Sequence, residues 1–267
     1  MTKPSTSDHA AIAELSSGEK RDLLGLGALA AAWALVPAGL GFLLLARIGW
    51  VAEVYTGIID EQGLVIAIAI YALIFGVTAG LGLLPTYAQA ILGGWIFGTV
   101  FGTVGAMMGI LLGALLGHGL ARLISGNRVE AIIERRPKVL AVRNALVDAG
   151  LMRSIGIVAL LRVSPNSPFA LSNLALGGSR TPLIAMFFGT AFGMLPRTAL
   201  AAGFAAAAAA DGSKDLVDVV RQKGLPLTLV GILTLLITVA VIAAVGNAAL
   251  KRVVPGVDSD QASGGPS

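Results

Sequence analysis

The chain has 267 residues, 56% of them hydrophobic and 13% charged, with a formal net charge of +4 and a mean hydropathy of +0.85. Soluble domains carry about 25% charged residues, so this composition excludes an ordinary soluble domain and points to an integral membrane protein. The absence of cysteine excludes a disulfide framework and thiolate chemistry, and the 35 glycines beside few aromatics suit helices that pack backbone to backbone.

Residues 1–24 form a polar N-terminal tail. Asp8, Glu14, Glu19 and Asp22 leave no room there for the apolar core of a secretory signal. Residues 25–63 hold a first membrane helix and an amphipathic segment. The helix, 26–46, is about 21 residues without a charge, long enough to span, with Pro37 as a kink. The segment 47–63 sets Ile48, Trp50, Val51, Tyr55 and Ile58 against Glu53, Asp60, Glu61 and Gln62, and its Trp50 and Tyr55 suit the interfacial aromatic belt. Residues 64–84 read as another uncharged span.

Pro85 breaks that apolar run. The stretch 85–98 is too short to cross and return as full helices, and it reads as a first re-entrant segment. Glycines then recur at 94, 98, 102, 105, 109, 113 and 117, which places a glycine stripe on one helix face. Residues 118–153 are the long polar segment inside the chain, with Arg122, Arg128, Arg135, Arg136, Lys138, Arg143 and Arg153. Apolar positions around Pro137 suggest two amphipathic helices, and the positive-inside rule makes the segment a basic cytoplasmic loop.

Residues 159–203 are apolar yet carry Pro165, Pro168, Pro182 and Pro196, the paired Gly177 and Gly178, and the polar Arg162, Asn166 and Asn173. Proline removes a backbone donor, and broken backbone at membrane depth must be buried in protein or line a wet cavity. The predicted solution is a second re-entrant hairpin, 154–180, followed by a spanning helix. The alanine run 205–210 continues that helix. Residues 211–252 give a polar loop, 211–224, and a last span from 225 to 250 that ends at Lys251 and Arg252; 253–267 is a disordered tail.

The two broken regions resemble each other. Pro85, Gly93, Gly94, Gly98 and Gly102 in the first match Pro168, Gly177, Gly178, Gly189 and Gly193 in the second, once seven extra residues are allowed before the last two. The fold class that follows is an all-α polytopic membrane protein. It is an inverted repeat of re-entrant hairpin plus transmembrane helix, with about five spanning helices and two re-entrant hairpins in all, the core covering 64–210.

The run LLRVSPNSPFALSNLALGG, the FFGTAFGMLP segment after it, and the upstream LGLLPTYAQAILGGWIFGTVFG with LLGHGLAR resemble the DedA, or VTT-domain, membrane proteins. The likeness is greatest to their bacterial SNARE-associated Golgi protein-like branch. It implies opposed re-entrant hairpins that meet in a multi-pass bacterial plasma membrane protein, and movement of lipid across the bilayer. Bacterial members are implicated in recycling the undecaprenyl phosphate carrier and in proton-dependent transport, and eukaryotic relatives in phospholipid scrambling. The partners implied are membrane lipids, phospholipid or polyprenyl phosphate, with protons and a homo-oligomer left open and no nucleic acid. Arg162 and Pro165 match the family's arginine and proline. A second arginine of the family is replaced by Pro168, and an acidic residue after the first hairpin's proline by Thr86 and Tyr87. No Asp or Glu occurs between Gln62 and Val129 or between Ala149 and Ala210, so coupling through an intramembrane carboxylate lacks its carboxylate.

Arg162 is the first candidate for contact with a lipid headgroup, because a guanidinium is permanently charged and forks onto phosphate oxygens. Arg197 follows Pro196 in the next span and should face the same cavity. Asn166, Asn173 and Thr86 can bond freed backbone groups or substrate. Pro85 and Pro165 should open helices whose N-termini favour an anion. His118 reads as an interfacial residue. No catalytic set, metal cluster or cofactor motif is evident, so no enzyme activity is expected. The alternatives are a proton-coupled small-solute transporter and a membrane scaffold.

Overall fold

The computed structural model describes residues 35–124, 150–163, 169–179, 181–210, 212–213 and 215–253, and the regular elements among them are α-helices. Both tails, most of the basic segment, Pro165, Asn166 and Pro168 lie outside the described residues. In chain order the helices are α1 (Leu35–Ala46), α2 (Ile48–Gln62), α3 (Leu64–Gly80), α4 (Thr86–Ile124), α5 (Leu151–Val163), α6 (Phe169–Gly178), α7 (Leu183–Ala209), α8 (Leu216–Lys223) and α9 (Leu225–Val253).

Gly98 decides the shape of α4. It sits at φ 75° and ψ −179°, a backbone state open to glycine and strained for other residues. There the chain doubles back. A Cβ on Gly102 would lie 2.5 Å from the carbonyl oxygen of Gly93, whereas nine residues of continuous helix would separate these positions by about 13.5 Å. Residues 86–97 and 99–124 are therefore two limbs. The longer limb, about 39 Å at 1.5 Å per residue, packs beside α3 along the glycine stripe: Gly105 meets Tyr71, Gly109 meets Phe75, and Gly113 meets Gly76 and Gly80. The α3 tip thus reaches only partway along it.

The second half repeats this plan. In α5, Ile155 and Val158 meet Gly189, and Ala159 meets Gly193, while α6 follows α5 as residues 86–97 follow α3. Every buried position of α4 from 102 to 121 recurs, 84 residues on, as a buried position of α7 from 186 to 205. The short limb of each half packs on the long helix of the other: Gly94 on Ala202, and Gly177 on His118 and Ala121. That reciprocal exchange is the signature of a two-fold relation.

The 84-residue register corrects the sequence alignment. The counterpart of Pro85 is Phe169, that of Gly98 is Pro182, and Gly189 and Gly193 answer to Gly105 and Gly109, with no insertion. A glycine pattern of period three to four slides by a turn at no cost in sequence, so composition could not fix the register. The same correspondence makes α3 the counterpart of α5. At 17 residues, about 26 Å, α3 is shorter than the ~30 Å hydrocarbon core and counts as a shorter apolar helix. Thr86–Leu123, Leu183–Ala209 and Thr228–Leu250 are apolar enough and long enough to cross, and a fourth span arises if α1 and α2, bent by 68°, count as one.

Other details also differ. Tyr55 is buried among Tyr71 and Phe97, with ring centroids 6.2 and 5.7 Å away, instead of lying in an interfacial belt. The loop 211–224 contains α8, capped by the Asp215 side chain, which accepts from Asp218 N at 2.9 Å. Residues 118–124 and 151–153 of the basic segment belong to α4 and α5, and the two amphipathic helices foreseen around Pro137 fall outside the described residues.

Gly94 offers a direct check on the crossed packing. An alanine Cβ there would overlap the backbone of Ala202, which cannot step aside as a side chain would. Overpacking of this kind costs about 1–3 kcal/mol. Gly94→Ala is expected to lower the melting temperature in detergent. Gly119→Ala, with nothing within 4 Å of its new Cβ, should leave it unchanged or raise it, by helix propensity.

Candidate functional site

Arg162 stands in the last turn of α5, where Gly193 of α7 lets it come close. A Cβ on Gly193 would strike the Ala159 carbonyl oxygen and lie 2.7 Å from the Arg162 Cβ. Only 3% of Arg162 is exposed. Its Nη2 donates to Asn173 Oδ1, its Nε donates to Thr190 Oγ1 at 3.2 Å, and Nη2 also approaches Met186 Sδ at 3.6 Å. The guanidinium carbon sits 4.9 Å from the centroid of the Phe169 ring. Asn173, fully buried, donates from Nδ2 to the Gly113 carbonyl at 3.3 Å. One arginine thus ties α5, α6 and α7 together, and its amide partner adds α4.

The first half holds a counterpart. Thr78 Oγ1 donates to Gln89 Oε1 at 2.8 Å, and these two residues stand 84 before Arg162 and Asn173. The Tyr71 hydroxyl donates to the Gln89 carbonyl at 2.7 Å. Each hairpin is therefore braced by one bond across eleven residues to a side-chain amide. In the first hairpin the brace is neutral, and in the second it carries a buried charge.

Arg197, 8% exposed, lies on α7 with its guanidinium carbon 5.0 Å from the centroid of the Tyr87 ring and a nitrogen on Met194 Sδ. Arg197 stands one turn of α7 beyond Gly193, against which Arg162 packs. Neither guanidinium has a carboxylate partner among the described residues, and α3 to α7 contain no Asp or Glu within those residues. Glu53, Asp60 and Glu61 are exposed on α2 and do not fold into the site.

The structure brings Arg162 and Asn173 together, with Arg197 beside them. Thr86 is buried at the start of the 86–97 limb, next to Tyr87. The hairpin glycines Gly93, Gly94, Gly98, Gly177, Gly189 and Gly193 all stand at turns or close contacts, Gly178 closes α6, and Pro85 packs against Gly41 of α1. The described part of α6 begins at Phe169, and the helix start expected at Pro165 lies outside the described residues. Sequence reading missed Thr190, Gln89 and Tyr87, because nothing local marks a buried hydroxyl or amide as a partner of a distant arginine. His118, expected at the interface, is buried at 1% exposure with neither ring nitrogen bonded. It stands one turn beyond Ala114, which packs among Ile157, Val158, Leu176 and Met186. Arg122, one turn further, donates to the Thr181 carbonyl at 3.2 Å.

Beside the first hairpin lies an apolar groove of about 540 Å³ between α1, α2 and the α3 tip. Leu40, Leu43, Val51 and Leu84 line it, together with Thr78 and Arg47. Among the described residues no three His, Cys, Asp or Glu side chains gather as metal ligands would.

No curated protein and no solved structure matches the chain. The family comparison does give a match, to the VTT domain, over residues 84–207. That range takes in the 86–97 limb, the long limb of α4, Arg162, Asn173 and Arg197. Residues 84–207 are accordingly similar to the VTT domain, the domain of the DedA and SNARE-associated Golgi family.

Proposed function

We propose that the protein carries lipids with an anionic headgroup, phospholipid or polyprenyl phosphate, across a bacterial inner membrane through the region where its two hairpins meet. The observation that carries this reading is the pair of buried guanidiniums with no carboxylate beside them among the described residues, in helices that hold no Asp or Glu there. An arginine at the bilayer centre costs about 2.5 kcal/mol or more. Bracing does not require that cost, since Thr78 and Gln89 brace the other hairpin with no charge. A ligand that supplies the missing negative charge does require it. Low local polarity strengthens the attraction between a guanidinium and a phosphate, and two forks from different helices suit a headgroup with several oxygens. No covalent step is needed, only binding and release. The reading is tested with purified protein in liposomes, by following the movement of lipids that differ only in headgroup. Faster movement of anionic lipids supports it, and a rate equal to that of protein-free vesicles defeats it.

The membrane placement follows from the repeat. With α3 as a limb, the α3 and 86–97 pair and the α5 and α6 pair are re-entrant hairpins entering from opposite faces. Four crossings remain: α1 with its bent continuation, residues 99–124, α7 and α9. Residue 1, the basic segment 125–149 and the C-terminus then share one face, and Arg128, Arg135, Arg136, Lys138 and Arg143 make it cytoplasmic. Five crossings would put the N-terminus outside. Reporter fusions at the N-terminus and at Lys138 are both expected to score as cytoplasmic, and opposite scores for the two would restore the five-span arrangement.

A further inference from the structure

We propose that the first hairpin carries its own headgroup site, formed by Arg197, Tyr87 and Gln89 and reached by the lipid's chains through the groove beside Thr78. The inference rests on the lipid-carrying reading and names the place where an anionic lipid first docks.

The two-fold relation locates the site. In the second hairpin Asn173 Nδ2 donates to the Gly113 carbonyl, and the residue 84 beyond Gly113 is Arg197. The counterpart of Asn173 is Gln89, two residues along the same limb from Tyr87, whose ring lies under Arg197. The second hairpin's cluster is closed on itself, with Arg162 held by Asn173 and Thr190 and with Asn173 held by Gly113. In the first hairpin the acceptors are taken and the donors are free. Gln89 Oε1 accepts from Thr78 and its carbonyl from Tyr71. Gln89 is 2% exposed, yet its Nε2 has no partner, and the buried Tyr87 hydroxyl has none. Arg197 contacts the Tyr87 side chain and a methionine sulfur. A buried donor without an acceptor costs about 1–3 kcal/mol, so two unmet donors beside a guanidinium call for an acceptor-rich anion.

Thr78 shows why that anion is part of a lipid. Its hydroxyl braces Gln89, and the same residue walls the apolar groove lined by Leu40, Leu43, Val51 and Leu84. A headgroup at Gln89 and Arg197 would leave its chains a ready path along those leucines, and free phosphate would use none of it.

The test uses the full chain in neutral-detergent micelles with radiolabelled phosphatidylglycerol as probe. Tyr87→Phe keeps the ring under Arg197 and removes one donor, and it is expected to weaken binding about tenfold. Gln89→Glu keeps the acceptor for Thr78 and sets a carboxylate by Arg197, and it is expected to abolish binding at this site. Leu43→Trp fills the groove and should weaken binding while leaving the donors intact. Inorganic phosphate should not compete. Wild-type affinity in Tyr87→Phe and Gln89→Glu, in preparations where Arg162→Ala does lose lipid movement, would overturn this site and leave the wider reading standing. Competition by inorganic phosphate at equal strength would overturn the lipid assignment. Failure of the wild type both to bind and to move lipid would defeat the two readings together.

Discussion

Arg162→Ala is expected to abolish movement of anionic-headgroup lipids while the protein still inserts and folds. Removing one partner of a buried charged contact costs about 2–5 kcal/mol, which is about thirtyfold or more in binding. Against folding, the loss leaves Asn173 Oδ1 and Thr190 without their donor, about 1–3 kcal/mol each. It also removes the cost of burying a cation that has no carboxylate, and the two effects oppose each other. Arg162→Lys keeps the charge and loses the planar fork, so its rate should fall clearly below wild type. The repeat supplies a sharper control. The double change Arg162→Thr with Asn173→Gln copies into the second hairpin the neutral brace that Thr78 and Gln89 already form in the first. It should melt near the wild-type temperature and move no anionic lipid. If the double variant transports at the wild-type rate, the charge is idle and the site assignment is wrong.

Asn173→Asp is expected to have an effect nearly as large for the opposite reason. The carboxylate would take the place of the amide oxygen that Arg162 already donates to. The result is a buried ion pair in which the arginine is satisfied internally. The Gly113 carbonyl loses its donor, about 1–3 kcal/mol, and the new charge-assisted bond, roughly twice as strong as a neutral one, offsets that loss. The fold should persist, and lipid movement should drop at least tenfold because the headgroup must compete with a tethered anion. Lipid flux in liposomes and melting temperature in detergent, measured on the same preparation, separate the two effects. Undiminished flux would mean that Arg162 does not meet the headgroup.

The sequence was most informative where the relevant chemistry is local. Pro85, Gly98 and Pro182 break the chain where helices end or turn, because a missing donor or a positive φ acts on its own few residues. The glycine stripe at 105, 109 and 113 does meet a neighbouring helix, as its spacing required. Arg162 stood out because a lone cation in an apolar run is costly wherever it points. Arg197 was legible as a candidate for the same reason, but its partner Tyr87 was not. His118 and Tyr55 were placed at the interface by residue type, and their burial depends on which helix lies opposite.

By itself the sequence determined the membrane character of the chain, the positions of its breaks and the lack of carboxylates in its core, since each is a property of composition or of a few adjacent residues. Only the tertiary structure decided the 84-residue register, the correspondence of α3 with α5 and the pairing of Thr78 with Gln89 against that of Arg162 with Asn173. The reason lies in the solvent. In water an apolar stripe shows which face of a helix turns inward. In lipid the outward face is as apolar as the inward one, and helices choose their partners by backbone approach and hydrogen bonds. Those contacts, such as Gly94 on Ala202 and Asn173 on Gly113, join residues that the sequence sets 60 or more positions apart.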